Sequence, residues 1–300
     1  MHKIILALSL LGLGAVLLAS NSCKKETTNT PKLIFKYKLD STQVRLGNLG
    51  NPVSVGAGNA GQSPRFNAIS SHYMELAPTM YTQLGAGTVL YHQAETNLGG
   101  ATAIDYSKAV IKNDGETFFE VPLKDVTPGS YEWLRVSLSY QNYNVYMRVD
   151  TTISGLSIHQ YFDATIASFV GFNTYINNFN IKNKNYVVNA NKKQGYWGFE
   201  SNFYGTVYAD TGSAPGTTVP NPIAATSPIP AGSCVVTGAF ENGALVITGN
   251  ETKDVVVEVS LSINKSFEFT DGNGNGMWEP LKGERVVDMG LRGLIPRVLP

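Results

Sequence analysis

The chain is poor in cysteine, histidine and charged residues, and each shortage excludes a class of structure or function. Its 300 residues include 2 cysteines, Cys23 and Cys234. Because we interpret Cys23 below as a lipid attachment site, no internal disulfide can form, and we expect Cys234 to be a buried core residue. Lys and Arg total 23 and Asp and Glu total 23, so the formal net charge is +0. Because the chain has no surplus of basic residues, we predict that it does not bind nucleic acid.

Motifs for catalysis are also missing. The chain has no Gly-x-Ser-x-Gly elbow, no Ser-x-x-Lys pair and no phosphate-binding loop. Beyond the N-terminal segment the histidines are His72, His92 and His159, and none forms a His-x-His or His-x-x-x-His pair. We interpret each of them as a strand or surface residue, not a metal ligand. The chain is therefore expected not to be an enzyme.

The one long apolar run lies at the N-terminus, over residues 4–19, after a short basic start. It is too short and wrongly flanked for a spanning helix, but it suits a signal peptide. The run ends just before Ser22 and Cys23, a small residue followed by a cysteine. We therefore predict a lipoprotein signal peptide over residues 1–22, lipidation with palmitate at Cys23, and a polar tether over residues 23–31.

The Cys-Lys-Lys-Glu start of the mature chain resembles that of Bacteroidota lipoproteins. The resemblance implies a protein anchored by lipid to the outer membrane and facing the periplasm or the cell surface. Ser20 stands where a lipoprotein signal usually has Leu, so an ordinary secretory signal is the alternative. Both interpretations place the mature chain outside the cytoplasm.

After the tether the composition favours strands and turns. The chain has 30 Gly, 15 Tyr and 13 Phe residues, and apolar side chains alternate from the first segment onward, as at Leu33, Phe35, Tyr37 and Leu39. Short strand-like runs with turn residues between them predict an all-β fold over residues 32–300, an antiparallel β-sandwich, Ig-like or jelly-roll-like, with long loops. Strand-like runs are expected at residues 66–77, 88–92, 117–123, 131–140, 145–150, 167–172, 185–189, 196–203, 235–240, 244–248 and 255–269.

Four local features complete this prediction. A Pro/Gly-rich insert at residues 211–231 is either a linker between two small domains or, as we prefer, a surface loop of a single domain. Pro128 and Gly129 have the chemistry of a type II turn, which would join the strands on either side. A long loop is expected over residues 47–65, and residues 101–110 are the best candidate for a short helix.

The strongest candidate site is a calcium loop near the C-terminus. Carboxylate and amide side chains recur at every second position, and Gly276 stands sixth, where such loops turn sharply. A bidentate Glu is usual at the twelfth position, but Lys282 stands there, so Glu284 would have to replace it. The predicted calcium ligands are Asp271, Asn273, Asn275, the carbonyl of Met277, Glu279 and Glu284. The alternative is a turn that binds no metal.

Two stretches place aromatic rings beside amide groups, over residues 172–180 and 195–204. Sugars stack on ring faces and bond to amides, so Tyr175, Phe179, Trp197 and Phe199 are candidate ligand-binding residues. The alternative is that one ring face of each stretch fills the core.

The order of segments is similar to that of the MbnP-like family of β-sandwich proteins. The matching segments are residues 33–39, 66–76, 128–138 and 195–203. A Tyr-Ile-Ser-Asn motif of that family is replaced by residues 72–75, His-Tyr-Met-Glu. The resemblance implies a β-sandwich and a link to copper, in part through a modified tryptophan, for which Trp133, Trp197 and Trp278 are available.

These observations predict a membrane-anchored, non-catalytic lipoprotein that binds or scaffolds at the cell envelope and carries a structural calcium loop. Its partners would be the membrane, through the N-terminal lipid, and a glycan or a protein. The alternatives are a glycan-binding protein of a nutrient-uptake system and an MbnP-like copper-handling protein.

Overall fold

The computed structural model describes residues 30–153, 155–214, 233–291 and 293–300. The predicted signal peptide, the lipidation site Cys23 and most of the predicted tether lie outside the described residues. Residues 215–231 of the predicted insert also lie outside the described residues. Its first residues, 211–213, belong to a strand. Among the described residues, no helix has the length and hydropathy needed to span a membrane.

The fold is all-β, as predicted, and its sheets are mostly antiparallel. The first sheet has the order β20-β17-β1-β7, in which the central pair β1–β17 is parallel. Its strands are β1 (Lys32–Asp40), β7 (Thr117–Pro122), β17 (Val255–Ser262) and β20 (Leu294–Val298). Leu33, Phe35 and Tyr37 are fully buried, which confirms the alternation read from the sequence.

The largest sheet has seven strands in the order β14-β13-β10-β9-β3-β4, with β15 also paired to β9. Its strands are β3 (Arg65–Ala77), β4 (Thr88–His92), β9 (Trp133–Ile153), β10 (Leu156–Phe169), β13 (Tyr196–Phe203), β14 (Thr206–Ser213) and β15 (Cys234–Ala239). The 21-residue β9 is the spine of the sheet. On one edge it pairs first with β15 and then with β10, and on the other edge with β3.

Three smaller sheets complete the fold, with the orders β12-β11-β6-β5, β19-β18-β2 and β16-β8. Their strands are β2 (Asn59–Gln62), β5 (Glu95–Thr96), β6 (Ala103–Asp105), β8 (Gly129–Tyr131), β11 (Asn173–Asn180), β12 (Asn185–Lys193), β16 (Leu245–Ile247), β18 (Phe267–Thr270) and β19 (Val286–Met289). Short 3-10 turns occur at Tyr106–Lys108, Leu123–Asp125 and Pro280–Lys282.

Three large hydrophobic clusters pack between the layers of the described part of the chain, and Tyr73, Leu84 and Val235 form a small fourth one. The first lies between the β1 sheet and the β3, β9 and β15 part of the large sheet, and it contains Cys234, which is buried as predicted. The second lies between the far half of β9, with β10 and β13, and the β18–β19 pair. The third lies on the opposite face of β10 and β13, where β11 packs. Both faces of β13 are therefore covered, and the candidate site described below lies on one of them.

Several local predictions were wrong. The runs at 131–140 and 145–150 are one continuous strand, β9, and the run at 255–269 is two strands, β17 and β18. The predicted loop at 47–65 contains β2, and the predicted helix at 101–110 is the short strand β6 followed by a 3-10 turn. Long-range pairing decided these cases, because a strand edge supplies hydrogen bonds to segments with little intrinsic preference.

The turn predicted at Pro128 and Gly129 does not join neighbouring strands into a hairpin. Gly129 lacks the positive φ that a type II turn requires, and it begins β8, which pairs with β16. β7 pairs with β1 instead of β9. The 3-10 turn at Leu123–Asp125 separates the two strands, so they belong to different sheets.

Candidate ligand-binding cavity and metal loop

Two of the predicted ligand-binding rings, Trp197 and Phe199, line a cavity. They share one face of β13, since they lie two positions apart, and both are half-buried. Opposite them lie Trp278, Arg285 and Met289, from the β18–β19 layer and its connecting loop. The cavity measures about 720 Å³, within the range of small-molecule sites.

Gly212 makes room for the indole ring of Trp197. The two residues are directly opposite each other on β14 and β13. A Cβ atom at Gly212 would lie 2.5 Å from Cζ2 of Trp197, which is too close for any side chain unless the indole moves. The ring therefore lies over the neighbouring strand because that strand has glycine at this register position.

Trp278 forms the facing wall and is fixed at several points. Its ring stands edge-on to Phe267 at 5.0 Å between centroids, and its carbonyl oxygen accepts a 2.7 Å hydrogen bond from the backbone N–H of Arg148. Its indole Nε1 is buried and has no hydrogen-bond partner among the described residues. A buried donor without an acceptor is costly, and because this nitrogen has almost no accessible surface, Trp278 presents its ring and not its N–H group to the cavity.

The other two predicted ligand-binding residues are not part of this cavity. Phe179 is 2% exposed and packs in the third cluster, 5.1 Å from Phe169 between ring centroids. It also contacts Tyr196, whose side chain is on the face of β13 opposite Trp197. Tyr175 is half-buried on β11. The prediction that Phe179 binds a ligand was therefore wrong, because β11 packs over this face and turns the ring into a core residue.

The structure brings most of the predicted calcium ligands into one hydrogen-bonded loop. Asp271 accepts from the backbone N–H groups of Asn275 at 3.1 Å and Gly276 at 2.8 Å. The side-chain oxygen of Asn273 also accepts from the Asn275 N–H, at 3.1 Å. Gly276 has a φ of 73°, so it makes the sharp turn that the sequence predicted.

Glu279 is at the centre of the loop and is 1% exposed. Its carboxylate accepts from the side-chain amides of Asn273 at 2.6 Å and Asn275 at 2.8 Å, and it pairs with the ammonium group of Lys282 at 2.6 Å. The Lys282 hydrogen bond and then the two amides hold the pKa of Glu279 below its usual range, against the effect of burial. The twelfth residue thus supplies a positive charge where an EF-hand supplies a carboxylate.

The two remaining predicted ligands, Glu284 and Met277, make hydrogen bonds with other groups of the loop and with Tyr161. Glu284 accepts from the backbone N–H groups of Gly272 at 3.3 Å and Glu279 at 2.6 Å, so it closes the loop from the far end. The N–H of Met277 donates to the Asn275 side chain at 2.8 Å, and its sulfur accepts from the Tyr161 hydroxyl at 2.6 Å.

The hydrogen bonds within the loop can be compared with the oxygen coordination that calcium requires. The asparagine amides direct nitrogen at Glu279, whereas calcium is coordinated by oxygen, so an ion at this point requires both amides to turn. Among the described residues, Asp271, Glu279 and Glu284 do not form a group with carboxylate oxygens within 4.8 Å of one another. The residue types fit calcium, and their present hydrogen bonds hold the loop through Lys282.

The copper link implied by the family resemblance stays a prediction. It needs a tryptophan beside metal-binding groups. Trp278 has its ring contact with Phe267, while His72 has its ring contacts with His92 and Phe172. No tryptophan ring contacts a histidine ring in the described part of the chain, so we derive no copper chemistry from Trp133, Trp197 or Trp278.

One cluster of side chains was not predicted from the sequence. His72 in the middle of β3, His92 at the end of β4 and Glu95 at the start of β5 come together, although each histidine was interpreted as a strand or surface residue. His92 and Glu95 are three residues apart, a spacing that was available in the sequence. The third member, His72, comes from a strand 20 positions earlier, and only strand pairing brings it there.

Comparisons with protein-family models, with curated proteins and with solved structures find no match to this chain. The function is therefore argued from the side chains alone.

Proposed function

We propose that this chain is a lipid-anchored, non-catalytic binding protein of the bacterial cell envelope, whose ligand occupies the cavity between Trp197, Phe199 and Trp278. The anchor is inferred from the residues around Cys23, and the binding role from the cavity. The observation that carries the binding role is a cavity of about 720 Å³ lined by the aromatic rings of Trp197, Phe199 and Trp278.

A glycan is the ligand class that this cavity favours. A sugar ring has apolar C–H faces and an edge of hydroxyl groups, so it can stack on indole and phenyl rings and accept a hydrogen bond at the same time. Trp197 and Phe199 offer half-buried ring surface for this stacking. Ser213, Thr270 and Arg285 place polar groups in the same wall. This supports the role of a glycan-binding protein in nutrient uptake over that of a scaffold.

Glycan-array screening of the purified full chain, followed by calorimetry on the hits, tests this proposal. Trp197→Ala should weaken glycan binding at least about tenfold, a loss of about 1.4 kcal/mol, because it removes one stacking surface. Tyr175→Ala is the matched control, an aromatic residue of the other stretch that does not line the cavity, and it should leave binding unchanged.

Two results would contradict the proposal. One is an array without a hit that calorimetry reproduces. The other is equal loss of binding in Trp197→Ala and Tyr175→Ala, which would place the ligand elsewhere on the protein.

The calcium loop is proposed as a structural element of the same protein. Glu279 and Glu284 tie the loop to itself, and the Trp278 carbonyl ties it to β9. A cation bound there would stabilise the segment that carries Trp278 into the cavity. Copper handling stays a prediction from the resemblance alone, and the metal content of the purified protein by elemental mass spectrometry decides between calcium and copper.

A further inference from the structure

Away from the cavity and the calcium loop, the side chains of His72, His92 and Glu95 converge on one point. Nε2 of His72 lies 3.1 Å from Nε2 of His92 and 2.9 Å from Oε1 of Glu95. The third side of the triangle, from Nε2 of His92 to Oε1 of Glu95, is 3.4 Å. Ligand atoms bound at about 2.1 Å to a single metal ion lie about 3.0 to 3.4 Å apart in octahedral or tetrahedral geometry. The observed triangle therefore has the dimensions of a metal-binding face.

Each neutral imidazole has at most one hydrogen on Nε2, and an ionised carboxylate only accepts. Both imidazoles can donate to Oε1 of Glu95, but the two Nε2 atoms, 3.1 Å apart, then have no hydrogen bond between them. A cation at the centre would make all three contacts favourable.

His72 is the enclosed member of the group, and its side chain is fully buried. Its Nδ1 is buried without a hydrogen-bond partner among the described residues. When Nε2 binds a metal, the hydrogen of the neutral imidazole is on Nδ1, and the described residues supply no acceptor for it.

Backbone hydrogen bonds hold together the strands that carry the three side chains. The N–H of Gln93 donates to the His72 carbonyl at 2.7 Å, and Tyr73 is paired with His92 in the β3–β4 register. Glu95 begins β5, which pairs with β6, and the N–H of Asp105 donates to the Ala94 carbonyl at 3.0 Å. Sites on paired strands hold ligand geometry better than sites on loops.

We propose that His72, His92 and Glu95 form a binding site for a divalent transition-metal ion of the zinc type. Two imidazoles and one carboxylate are a ligand set that suits zinc and its neighbours and does not suit calcium, which takes oxygen ligands. His92 and Glu95 are exposed whereas His72 is buried, so the ion has an entry path and keeps coordination positions open to water or a further ligand.

The test is calorimetric titration of the purified full chain with Zn²⁺, in a buffer that also contains excess Ca²⁺ to occupy the loop. We expect one Zn²⁺ per chain. His92→Ala and Glu95→Gln should each lower the affinity at least about 100-fold, because loss of a ligand costs no less than loss of its hydrogen-bonded support. Both side chains are exposed, so these variants should fold, which circular dichroism verifies.

His159→Ala is the matched control. His159 is exposed and hydrogen-bonded to Asp150 at 3.0 Å, another histidine–carboxylate pair, but no third ligand joins it. Its zinc affinity should stay within about twofold of that of the unmodified chain, since none of the three ligands is changed. The proposal is overturned if the unmodified chain binds no stoichiometric Zn²⁺, if His92→Ala binds as tightly as the unmodified chain, or if His159→Ala loses as much affinity as His92→Ala.

Discussion

Glu200 on β13 should be one of the main contributors to stability. It is 3% exposed, and its Oε2 accepts three backbone hydrogen bonds, from Lys182 at 2.9 Å, Asn183 at 2.9 Å and Lys184 at 3.0 Å. These N–H groups belong to the turn between β11 and β12. A single carboxylate therefore fastens the β11–β12 hairpin to the strand that carries Trp197 and Phe199.

The substitution Glu200→Gln keeps the shape of the side chain and removes its charge. A hydrogen bond to a charged acceptor contributes about 2 kcal/mol and a neutral one about 1 kcal/mol. Each of the three bonds loses about 1 kcal/mol, but the burial cost of the charge is removed at the same time, so the expected loss in the free energy of unfolding at pH 7 is about 1 to 2 kcal/mol. For a domain of this size that corresponds to a fall in Tm of about 2 to 4 °C.

The pH dependence gives a second and sharper expectation. Burial raises the pKa of Glu200, but the three backbone hydrogen bonds outweigh it and the pKa lies below its usual value of 4.5 in the folded protein. A carboxyl group whose folded pKa is lowered contributes stability above its unfolded pKa and loses it as the pH falls through the folded pKa. The difference between the unmodified chain and Glu200→Gln should therefore shrink as the pH falls below 4.5.

Urea unfolding of both proteins, followed by tryptophan fluorescence at pH 7 and at stepwise lower pH, measures this difference. Glu120→Gln is the control, because Glu120 is an exposed strand carboxylate paired with Lys32, and its loss should cost less than about 1 kcal/mol. The reasoning would be refuted if Glu200→Gln cost no more than Glu120→Gln at pH 7. A cost that stayed constant on acidification would refute it too.

Three further predictions concern the anchor, the loop and the cavity. Cys23→Ala should release the protein from membranes, and a variant that still sediments with the membrane fraction would contradict lipidation. Asp271→Ala should remove the rise in Tm that calcium produces, measured by scanning calorimetry with and without chelator; an unchanged calcium response would show that the loop is not the site. Gly212→Ala should displace the Trp197 ring, shift tryptophan emission and weaken glycan binding, since its Cβ would lie 2.5 Å from that ring; unaltered emission and affinity would contradict the role given to Gly212.

The sequence predicted the class of the fold because strand periodicity is a local property. Side chains on a strand alternate between two faces, so Leu33, Phe35 and Tyr37 could be assigned to the core without knowledge of any partner. The loop at Asp271, Asn273 and Asn275 was predictable for the same reason, because its hydrogen bonds join residues two to five positions apart.

Strand partners could not be predicted in this way. β1 lies between β7 and β17, and its parallel partner β17 is more than 200 residues away in the sequence. Pairing is chosen by the total burial and hydrogen bonding of the assembled sheets, which no short segment records. The hairpin predicted at Gly129 was wrong because the local turn chemistry competed with a better long-range pairing.

By itself, then, the sequence determined the all-β class, the alternation of the first strand and the residues of the C-terminal loop. The tertiary structure decided which aromatic rings face a cavity, since Trp197 and Phe179 both lie in strands beside amide groups and only layer packing buries the second. It also decided that His72 meets His92 and Glu95, because the pairing of β3 with β4 brings His72 to the other two. Backbone geometry acts over a few residues, whereas burial depends on what the rest of the chain places above each face.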